Sequence, residues 1–168
     1  MPHYSAGVRV RFGEIDRAGI VYYPRFFHYF HIAFEEFFSD CVGVAYHVML
    51  DEKRIGFPAV HVECDYRAPL KFGDHLEVRI SVVKVGRSSV TFRYRVWNKA
   101  DAREAAEARV TVVCVSMDTF RPMAVPGPYR AAFLRYLDDG DAPAAAPRRR
   151  KPAAPRQRPA APRPRPSA

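Results

Sequence analysis

The residues with the clearest chemical potential in this chain are Asp16 and those that follow it. The segment before Asp16 alternates like a strand, the turn after it contains Gly19, and Pro24 then opens a long apolar helix. A helix N-terminus presents unpaired N–H groups and a partial positive charge. A carboxylate beside such donors can attack a carbonyl carbon or activate a water while the donors polarise the carbonyl oxygen. The arrangement predicts acyl transfer that uses neither serine, cysteine nor metal.

Other carboxylates compete with Asp16 for this role. An aspartate in a turn before a helix is often only a turn or capping residue, and position alone favours that interpretation of Asp16. Glu35 and Glu36 lie farther along the same helix. Because a charged pair on a helix flank is usually solvated, we rank both glutamates below Asp16.

Histidines offer a second kind of chemistry. His28 and His31 lie three residues apart in the helix, and His61, Glu63 and Asp65 follow in one strand-like segment. Their spacing matches no metal-binding signature. We therefore expect no metal site and interpret the histidines as pocket-lining or surface residues.

The net charge of +9 comes almost entirely from the C-terminal part of the 168-residue chain. Residues 142–168 hold eight Lys/Arg and no Asp or Glu; subtracting these eight from the 27 basic residues leaves 19 basic and 18 acidic residues in positions 1–141. The body is therefore not a basic nucleic-acid-binding domain. The Ala/Pro/Arg-rich tail cannot bury a core, so we expect it to be disordered and to make at most weak, salt-sensitive contacts with polyanions.

Cysteine usage and hydropathy indicate a cytoplasmic protein. Cys41, Cys64 and Cys114 have no metal-like spacing, and an odd number of cysteines argues against a disulfide framework. The N-terminal residues lack an apolar leader segment, and no run of 18 apolar residues occurs. We expect reduced thiols and a cytoplasmic location.

The hydrophobic periodicity predicts one long helix and five strands. Residues 7–13 alternate, with Val8, Val10 and Phe12 on one side. From Pro24 the period becomes helical over about four turns, through Phe26, Phe27, Phe30, Ala33, Phe34, Phe37 and Phe38. A short helix over 43–53, strands over 59–68, 75–85, 89–98 and 106–117, and a final helix over 128–137 complete the prediction. The hairpin-like spacing of the strands favours antiparallel pairing.

Two motifs carry a family resemblance. The first is Phe12-Gly13-Glu14-Ile15-Asp16-Arg17-Ala18-Gly19-Ile20-Val21-Tyr22-Tyr23-Pro24, and the second joins Phe57-Pro58-Ala59-Val60 to Asp65-Tyr66-Arg67-Ala68-Pro69-Leu70 and Phe72-Gly73-Asp74. Together they resemble the 4-hydroxybenzoyl-CoA thioesterase family of the hotdog-fold superfamily, from about Val8 to about Leu137. The resemblance implies an α+β hotdog fold, in which a five-stranded antiparallel sheet wraps around a long central helix. It predicts a domain over 1–138 and a basic tail over 139–168.

The resemblance also implies roles for individual residues. Asp16 corresponds to the catalytic carboxylate, acting as nucleophile or as general base, and the backbone N–H of Tyr23 polarises the thioester carbonyl. Substrate-binding positions carried over in the same way are Gly19, Tyr22, His61, Arg87, Ser88, Ser89 and Arg121. The arginines and serines are expected near the coenzyme A phosphates. Pro24 departs from relatives that have histidine there, which places the chain nearer the aromatic-acyl branch.

These observations predict an acyl-CoA thioesterase that releases a free acid and coenzyme A. An aromatic acyl group such as 4-hydroxybenzoyl is the first expectation, with short or medium aliphatic groups close behind. Coenzyme A is part of the substrate, and no separate cofactor is expected. The resemblance implies a homodimer or homotetramer with sites between subunits, and no specific nucleic-acid partner. Two alternatives stay open: a hotdog hydratase or dehydratase of acyl thioesters, and a non-catalytic scaffold that binds acyl thioesters. Acyl-carrier protein could also replace coenzyme A.

Overall fold

Five antiparallel strands form the main sheet. The structure is a computed structural model that describes residues 2–138, so the predicted tail over 139–168 lies outside the described residues. In chain order the elements are β1 (Tyr4–Arg9), α1 (Arg25–Phe37), α2 (Tyr46–Asp51), β2 (Ile55–Gly56), β3 (Ala59–Tyr66), β4 (His75–Val85), β5 (Ser89–Asn98), β6 (Arg103–Val113), β7 (Val115–Ser116) and α3 (Gly127–Leu134). The main sheet has the order β1–β4–β5–β6–β3, and β2 pairs with β7. The predicted α+β class with a five-stranded antiparallel sheet is confirmed; that the sheet wraps around a long central helix stays a prediction.

The apolar side of α1 packs on the sheet. The Phe34 ring meets Phe92 of β5 edge-on at 5.3 Å between centroids, and the Phe30 ring lies 5.1 Å from that of Tyr94. Beyond Phe37 the chain continues as a π-helical turn over Phe38–Val42. The buried residues of α1 are Phe26, Tyr29, Phe30, Ala33, Phe34 and Phe37. Among residues 2–138, no helix is both long and apolar enough to cross a membrane.

The structure corrects the predicted start of the chain. The first strand is Tyr4–Arg9 and not 7–13, and Phe12 is 81% exposed in a short 3-10 turn over Phe12–Glu14. The carboxylate of Glu14 accepts a hydrogen bond from the Arg11 N–H at 2.6 Å, which turns the chain out of the strand direction. The same carboxylate accepts the Tyr29 hydroxyl at 2.9 Å, so a tyrosine outside the predicted stripe is fully buried.

The remaining differences concern where elements end. β4 and β5 have the predicted bounds, whereas the predicted strand over 106–117 is divided between β6 and β7. The predicted helix over 43–53 is the shorter α2, and Gly43 (φ 79°) lies in the left-handed region after the π-helical turn. The final helix ends at Leu134 instead of residue 137.

The strand register gives the sheet two distinct ends. Arg9 of β1 lies opposite His75 of β4, so the chain leaves β1 toward the Asp16 loop at the end of the sheet where β4 begins. At the other end lie the β4–β5 hairpin, which contains Arg87, and the start of β3 at Ala59, which pairs with Val112. We call these the Asp16 end and the Arg87 end. Strands of ten or eleven residues separate them by roughly 30 Å.

The two edge strands differ in how they are covered. The sheet face of β1 is buried, through Ala6 and Val8. By contrast β3 is exposed along nearly its whole length, and its hydrophobic side chains Val60, Val62 and Tyr66 are 61%, 42% and 44% exposed. An edge strand leaves one row of backbone N–H and C=O groups unpaired. Within the described chain, β3 is therefore the less protected edge.

If the α1 face forms the core, truncating it costs stability. We expect Phe34→Ala to lower the free energy of unfolding by about 3–5 kcal/mol, because it removes a buried ring and leaves a cavity. Chemical denaturation followed by circular dichroism measures the change. Phe12→Ala is the matched control and should cost less than about 0.5 kcal/mol at its exposed position. Equal losses in the two variants would contradict the packing of α1 described above.

Candidate active site

Asp16 lies in a tight turn that holds one of its carboxylate oxygens. Its Oδ1 accepts a hydrogen bond from the Ala18 N–H at 2.7 Å. The backbone closes the turn as well: the Asp16 N–H donates to Ile20 O and the Gly19 N–H donates to Asp16 O, both at 3.0 Å. Gly19 has φ 76°, in the region that favours glycine. Oδ2 has no hydrogen-bond partner within residues 2–138, so the turn orients the carboxylate and leaves one oxygen available.

The backbone N–H of Tyr23 is the second element of the site. Its neighbours are engaged: the Tyr22 N–H donates to Glu14 O at 2.9 Å, and the Arg25 N–H donates to Tyr22 O at 2.8 Å. Pro24 has no N–H, and the Tyr23 N–H has no acceptor in the described part of the chain. This donor therefore stands free at the start of α1, where the helix contributes a partial positive charge.

Tyr66 of β3 anchors this helix start. Its hydroxyl donates to the Tyr23 carbonyl at 3.2 Å, and its ring packs edge-on against Phe26. Burial raises the pKa of Tyr66, so its hydroxyl remains a donor at physiological pH. The sequence did not single out Tyr66, because a tyrosine in a strand is usually only a packing residue.

A small cavity adjoins the Asp16 end. It has a volume of about 310 Å³, and its lining includes Ile20, Tyr23, Phe26, Tyr66 and Leu70. Asp16 and Tyr23 are both exposed, and the Tyr22 ring, predicted to bind substrate, meets that of Tyr23 at 5.2 Å. In the single chain the candidate site is thus open to water.

A larger cavity lies between α1 and β3, toward the Arg87 end. Its volume is about 430 Å³ and its walls are mostly aromatic and aliphatic. We call it the aromatic cavity; its lining residues are Phe27, Phe30, His31, Phe34, Tyr46, Phe57, Pro58, Ala59, Val62, Tyr94, Val110 and Val112.

The predicted phosphate-binding residues lie at the Arg87 end and not beside Asp16. The carbonyl of Arg87 accepts from the Val125 N–H at 2.9 Å, and that of Ser88 accepts from the Cys114 N–H at 2.7 Å. These bonds tie the hairpin, which ends in Ser89, to the segment after β6 that carries Arg121. Both arginines are exposed, and neither forms an ion pair with a carboxylate of the described residues. The two segments that carry these arginines are thus joined, about one sheet length from Asp16 of the same chain.

His61 and the rival carboxylates have their own partners. His61 is exposed, and its Nε2 lies 3.0 Å from the carboxylate of Glu63. The residue between them, Val62, lines the aromatic cavity. Because side chains alternate along a strand, His61 lies on the opposite sheet face, away from α1. Glu35 pairs with His31 at 3.0 Å. Burial, and then the charge of Asp40, raise the pKa of Glu36.

No cluster of metal-ligating side chains forms in the described residues. His31 binds Glu35 on α1 whereas His61 binds Glu63 on β3, so the two histidines belong to separate pairs. The five residues considered for a metal site are therefore not brought together.

Comparisons with known proteins show that this chain is similar to thioesterases. A sequence profile described as the thioesterase-like superfamily matches residues 10–139. The chain is 28% identical over 130 residues to the acyl-CoA thioesterase YbgC of Haemophilus influenzae. The aligned region covers 77% of this chain and 93% of that protein. It is 27% identical over 127 residues to a 1,4-dihydroxy-2-naphthoyl-CoA hydrolase of Synechococcus elongatus, with 75% and 91% covered. The solved structure of BH1999 gentisyl-coenzyme A thioesterase superposes with a TM-score of 0.69 at 29% identity, covering 78% of this chain and 99% of that one.

The conformation of Gly19 can be tested without touching Asp16. A Cβ added at Gly19 would meet no atom within 4 Å, but the φ of 76° disfavours any other residue. We expect Gly19→Ala to lower the free energy of unfolding by about 1 kcal/mol through backbone strain alone. Gly13→Ala is the control, since its added Cβ also meets nothing and its φ is not positive. Denaturation curves that shift equally for both variants would rule out strain at Gly19.

Proposed function

This chain belongs to the thioesterase-like superfamily and is a thioester hydrolase, and from that premise we propose that it cleaves acyl-CoA at the Asp16 loop. Asp16 is the catalytic carboxylate and the Tyr23 N–H is the donor to the thioester carbonyl. The observation that carries the assignment is their pairing on one loop: an oriented carboxylate with one free oxygen, followed by a free N–H at a helix start.

Either of two reaction routes suits this pair. As a general base, Asp16 takes a proton from water, and the hydroxide attacks the carbonyl carbon. The tetrahedral oxyanion then accepts the Tyr23 N–H and collapses, the C–S bond breaks, and the thiolate of coenzyme A takes the proton from Asp16. As a nucleophile, Asp16 displaces the thiolate to form a mixed anhydride, which water hydrolyses. A single oriented donor of this kind contributes about 3–4 kcal/mol to transition-state stabilisation.

A second copy of the chain completes the site in our proposal. One protomer holds Asp16 at one end of the sheet and Arg87 and Arg121 at the other. If two β3 edges pair antiparallel around a two-fold axis, the Tyr66 end of one copy lies beside the Ala59 end of the other. The Asp16 loop of one copy then faces the aromatic cavity and the arginines of the second. This pairing also satisfies the open β3 edge and covers Val60 and Val62.

The aromatic cavity is the natural acyl-binding region of that dimer. A cavity of about 150 Å³ lined by apolar side chains already holds benzene, so 430 Å³ accommodates one substituted ring or two fused rings. Phe27, Phe30 and Phe34 offer ring faces and edges to such a group. We therefore propose that the substrate carries an aromatic acyl group. We also propose that the enzyme uses no separate cofactor and is located in the cytoplasm.

Removing the charge of Asp16 tests the catalytic assignment. Asp16→Asn keeps the oxygen that accepts from the Ala18 N–H, so the turn should survive. The amide can neither attack nor take a proton, and we expect kcat to fall at least about 100-fold while acyl-CoA still binds. Thiol release from a panel of aromatic and aliphatic acyl-CoA substrates measures the rate.

Asp51→Asn is the matched control, because Asp51 is an exposed aspartate at the end of α2. It should turn over like the wild type. Near-normal turnover by Asp16→Asn would transfer the role to Glu35 or Glu36. If the wild type itself releases no thiol from any acyl-CoA, the protein is a scaffold or hydratase instead.

The proposed dimer is tested by placing a charge on its edge. Val60→Lys should be tolerated in the single chain, where Val60 is 61% exposed and does not line the aromatic cavity, but it would bury a cation at the β3 pairing. We expect light scattering to give twice the 19.1 kDa chain mass for the wild type and the single mass for Val60→Lys, with loss of hydrolysis. Leu134→Lys alters another exposed apolar side chain (46%) away from β3 and should leave the mass unchanged. A wild-type monomer with full activity would refute the shared site.

A further inference from the structure

Glu14 lies two residues before Asp16 and accepts hydrogen bonds from three different parts of the chain. Its carboxylate oxygen Oε2 accepts the Arg11 N–H at 2.6 Å and the Tyr29 hydroxyl at 2.9 Å. Its backbone carbonyl accepts the Tyr22 N–H at 2.9 Å. Glu14 therefore joins the segment that follows β1, the segment that precedes α1, and α1 itself.

The Glu14 carbonyl closes the base of the loop that carries Asp16. Beside its bond, Ile15 and Val21 form an antiparallel bridge, so the loop is a short hairpin. The Tyr23 N–H follows the base of this hairpin directly and belongs to the start of α1. The distance between the Asp16 carboxylate and that N–H donor thus depends on how the hairpin base is held against α1.

Tyr29 holds the hairpin base against α1. Its side chain is fully buried, and its hydroxyl donates to the Glu14 carboxylate. Burial, and then the hydrogen bond to Glu14, raise the pKa of Tyr29, so the hydroxyl keeps its proton and stays a donor. A hydrogen bond to a charged acceptor is stronger than one between neutral groups, and leaving a buried hydroxyl without a partner is costly. The bond is therefore suited to fix a geometry.

We propose that Glu14 is a positioning residue that, through Tyr29, sets the place of the Asp16 carboxylate relative to the Tyr23 N–H. The proposal rests on the function proposed above and adds a residue that does not touch the substrate. Catalysis is sensitive to such geometry, because a misplacement of about 1 Å can lower a rate about 100-fold. The role does not require the charge of Glu14, since both side-chain donors reach one oxygen and an amide oxygen can accept them.

Removing the Tyr29 hydroxyl tests the link without changing Asp16 or Tyr23. We expect Tyr29→Phe to lower kcat for acyl-CoA about tenfold and to change KM less than about twofold, because the loop loosens while the binding surfaces remain. Glu14→Ala removes both side-chain bonds and should lower kcat further, toward about 100-fold. Glu14→Gln keeps an oxygen for both donors, so its kcat should stay within about threefold of the wild type.

The matched control is Tyr4→Phe. The Tyr4 hydroxyl also donates to a carboxylate, that of Asp40 at 2.6 Å, but beyond the end of α1 that lies far from Asp16. This variant should keep the wild-type kcat. Unchanged kcat in Tyr29→Phe and Glu14→Ala, at temperatures where both are folded, overturns the proposal. So does a loss in Glu14→Gln as large as that in Glu14→Ala, since Glu14 then acts through its charge.

A double variant separates positioning from a general loss of structure. If Glu14 and Tyr29 act through Asp16, adding Tyr29→Phe to Asp16→Asn should lower the residual kcat no further, because the group being positioned is already disabled. Two losses that multiply overturn the proposal, since Tyr29 then affects the rate independently of Asp16.

Amide hydrogen exchange separates the proposal from the proposed reaction. Mass spectrometry of a peptide spanning residues 16–24 should show faster exchange in Tyr29→Phe than in the wild type, and wild-type exchange in Glu14→Gln. If this pattern appears while no acyl-CoA is hydrolysed, the positioning of the loop by Glu14 stands and the hydrolytic function fails. Hydrolysis with unchanged kcat and unchanged exchange in Tyr29→Phe leaves the hydrolytic function intact and overturns the positioning role.

Discussion

The contact of aromatic rings between α1 and β5 fixes most of this structure. Phe30 packs on Tyr94, and Phe34 and Phe37 pack on Phe92, with centroid distances of 5.1 to 6.1 Å. Aromatic side chains bury the largest areas in a core and prefer edge-to-face contacts, so α1 has little freedom to slide or turn along the sheet. The start of α1, and with it the Tyr23 N–H, is thereby held at one end of the sheet. The same rings line the aromatic cavity, so the hydrophobic core and the proposed acyl site share residues.

The antiparallel order of the strands places the candidate functional residues at opposite ends of the sheet. A chain that alternates direction must place the loops before β4 and after β6 at opposite ends of the sheet. Asp16 and Arg87 therefore cannot approach each other within one protomer, whatever the side chains do. In an open site, water also weakens the electrostatic effect of a donor such as the Tyr23 N–H. In the proposed dimer a second copy encloses the Asp16 loop, so the proposed chemistry depends on assembly.

Local signals predicted the parts of the fold that depend on neighbours in sequence. The bounds of β4 and β5 follow from alternation and a short hairpin. Alternation continues through Phe12 and therefore predicts a strand there, whereas the hydrogen bond from the Arg11 N–H to the Glu14 carboxylate explains why the chain turns earlier. The Asp16 turn and the free Tyr23 N–H follow from a compact motif. The separation of Arg87 from Asp16 follows from the order of strands, which is a long-range property.

The hydrogen-bonding of carboxylates separates Asp16 from most of the other acids among residues 2–138. Most are held by cations or hydroxyls: Glu77 by Arg79, Glu107 by Arg95, Asp118 by Arg54 and Asp40 by the Tyr4 hydroxyl. A carboxylate bound in this way is a weaker base, since the partner stabilises its charged form. A carboxylate that forms no hydrogen bond within the described chain, such as that of Asp51, has no fixed direction. Within residues 2–138, Asp16 has one oxygen fixed by the Ala18 N–H and the other without a partner, and Asp74 has the same arrangement through the Lys71 N–H. Asp16 differs in sharing its loop with the free Tyr23 N–H. The tight turn around Gly19 orients this carboxylate, and the proposed attack or proton transfer depends on that orientation.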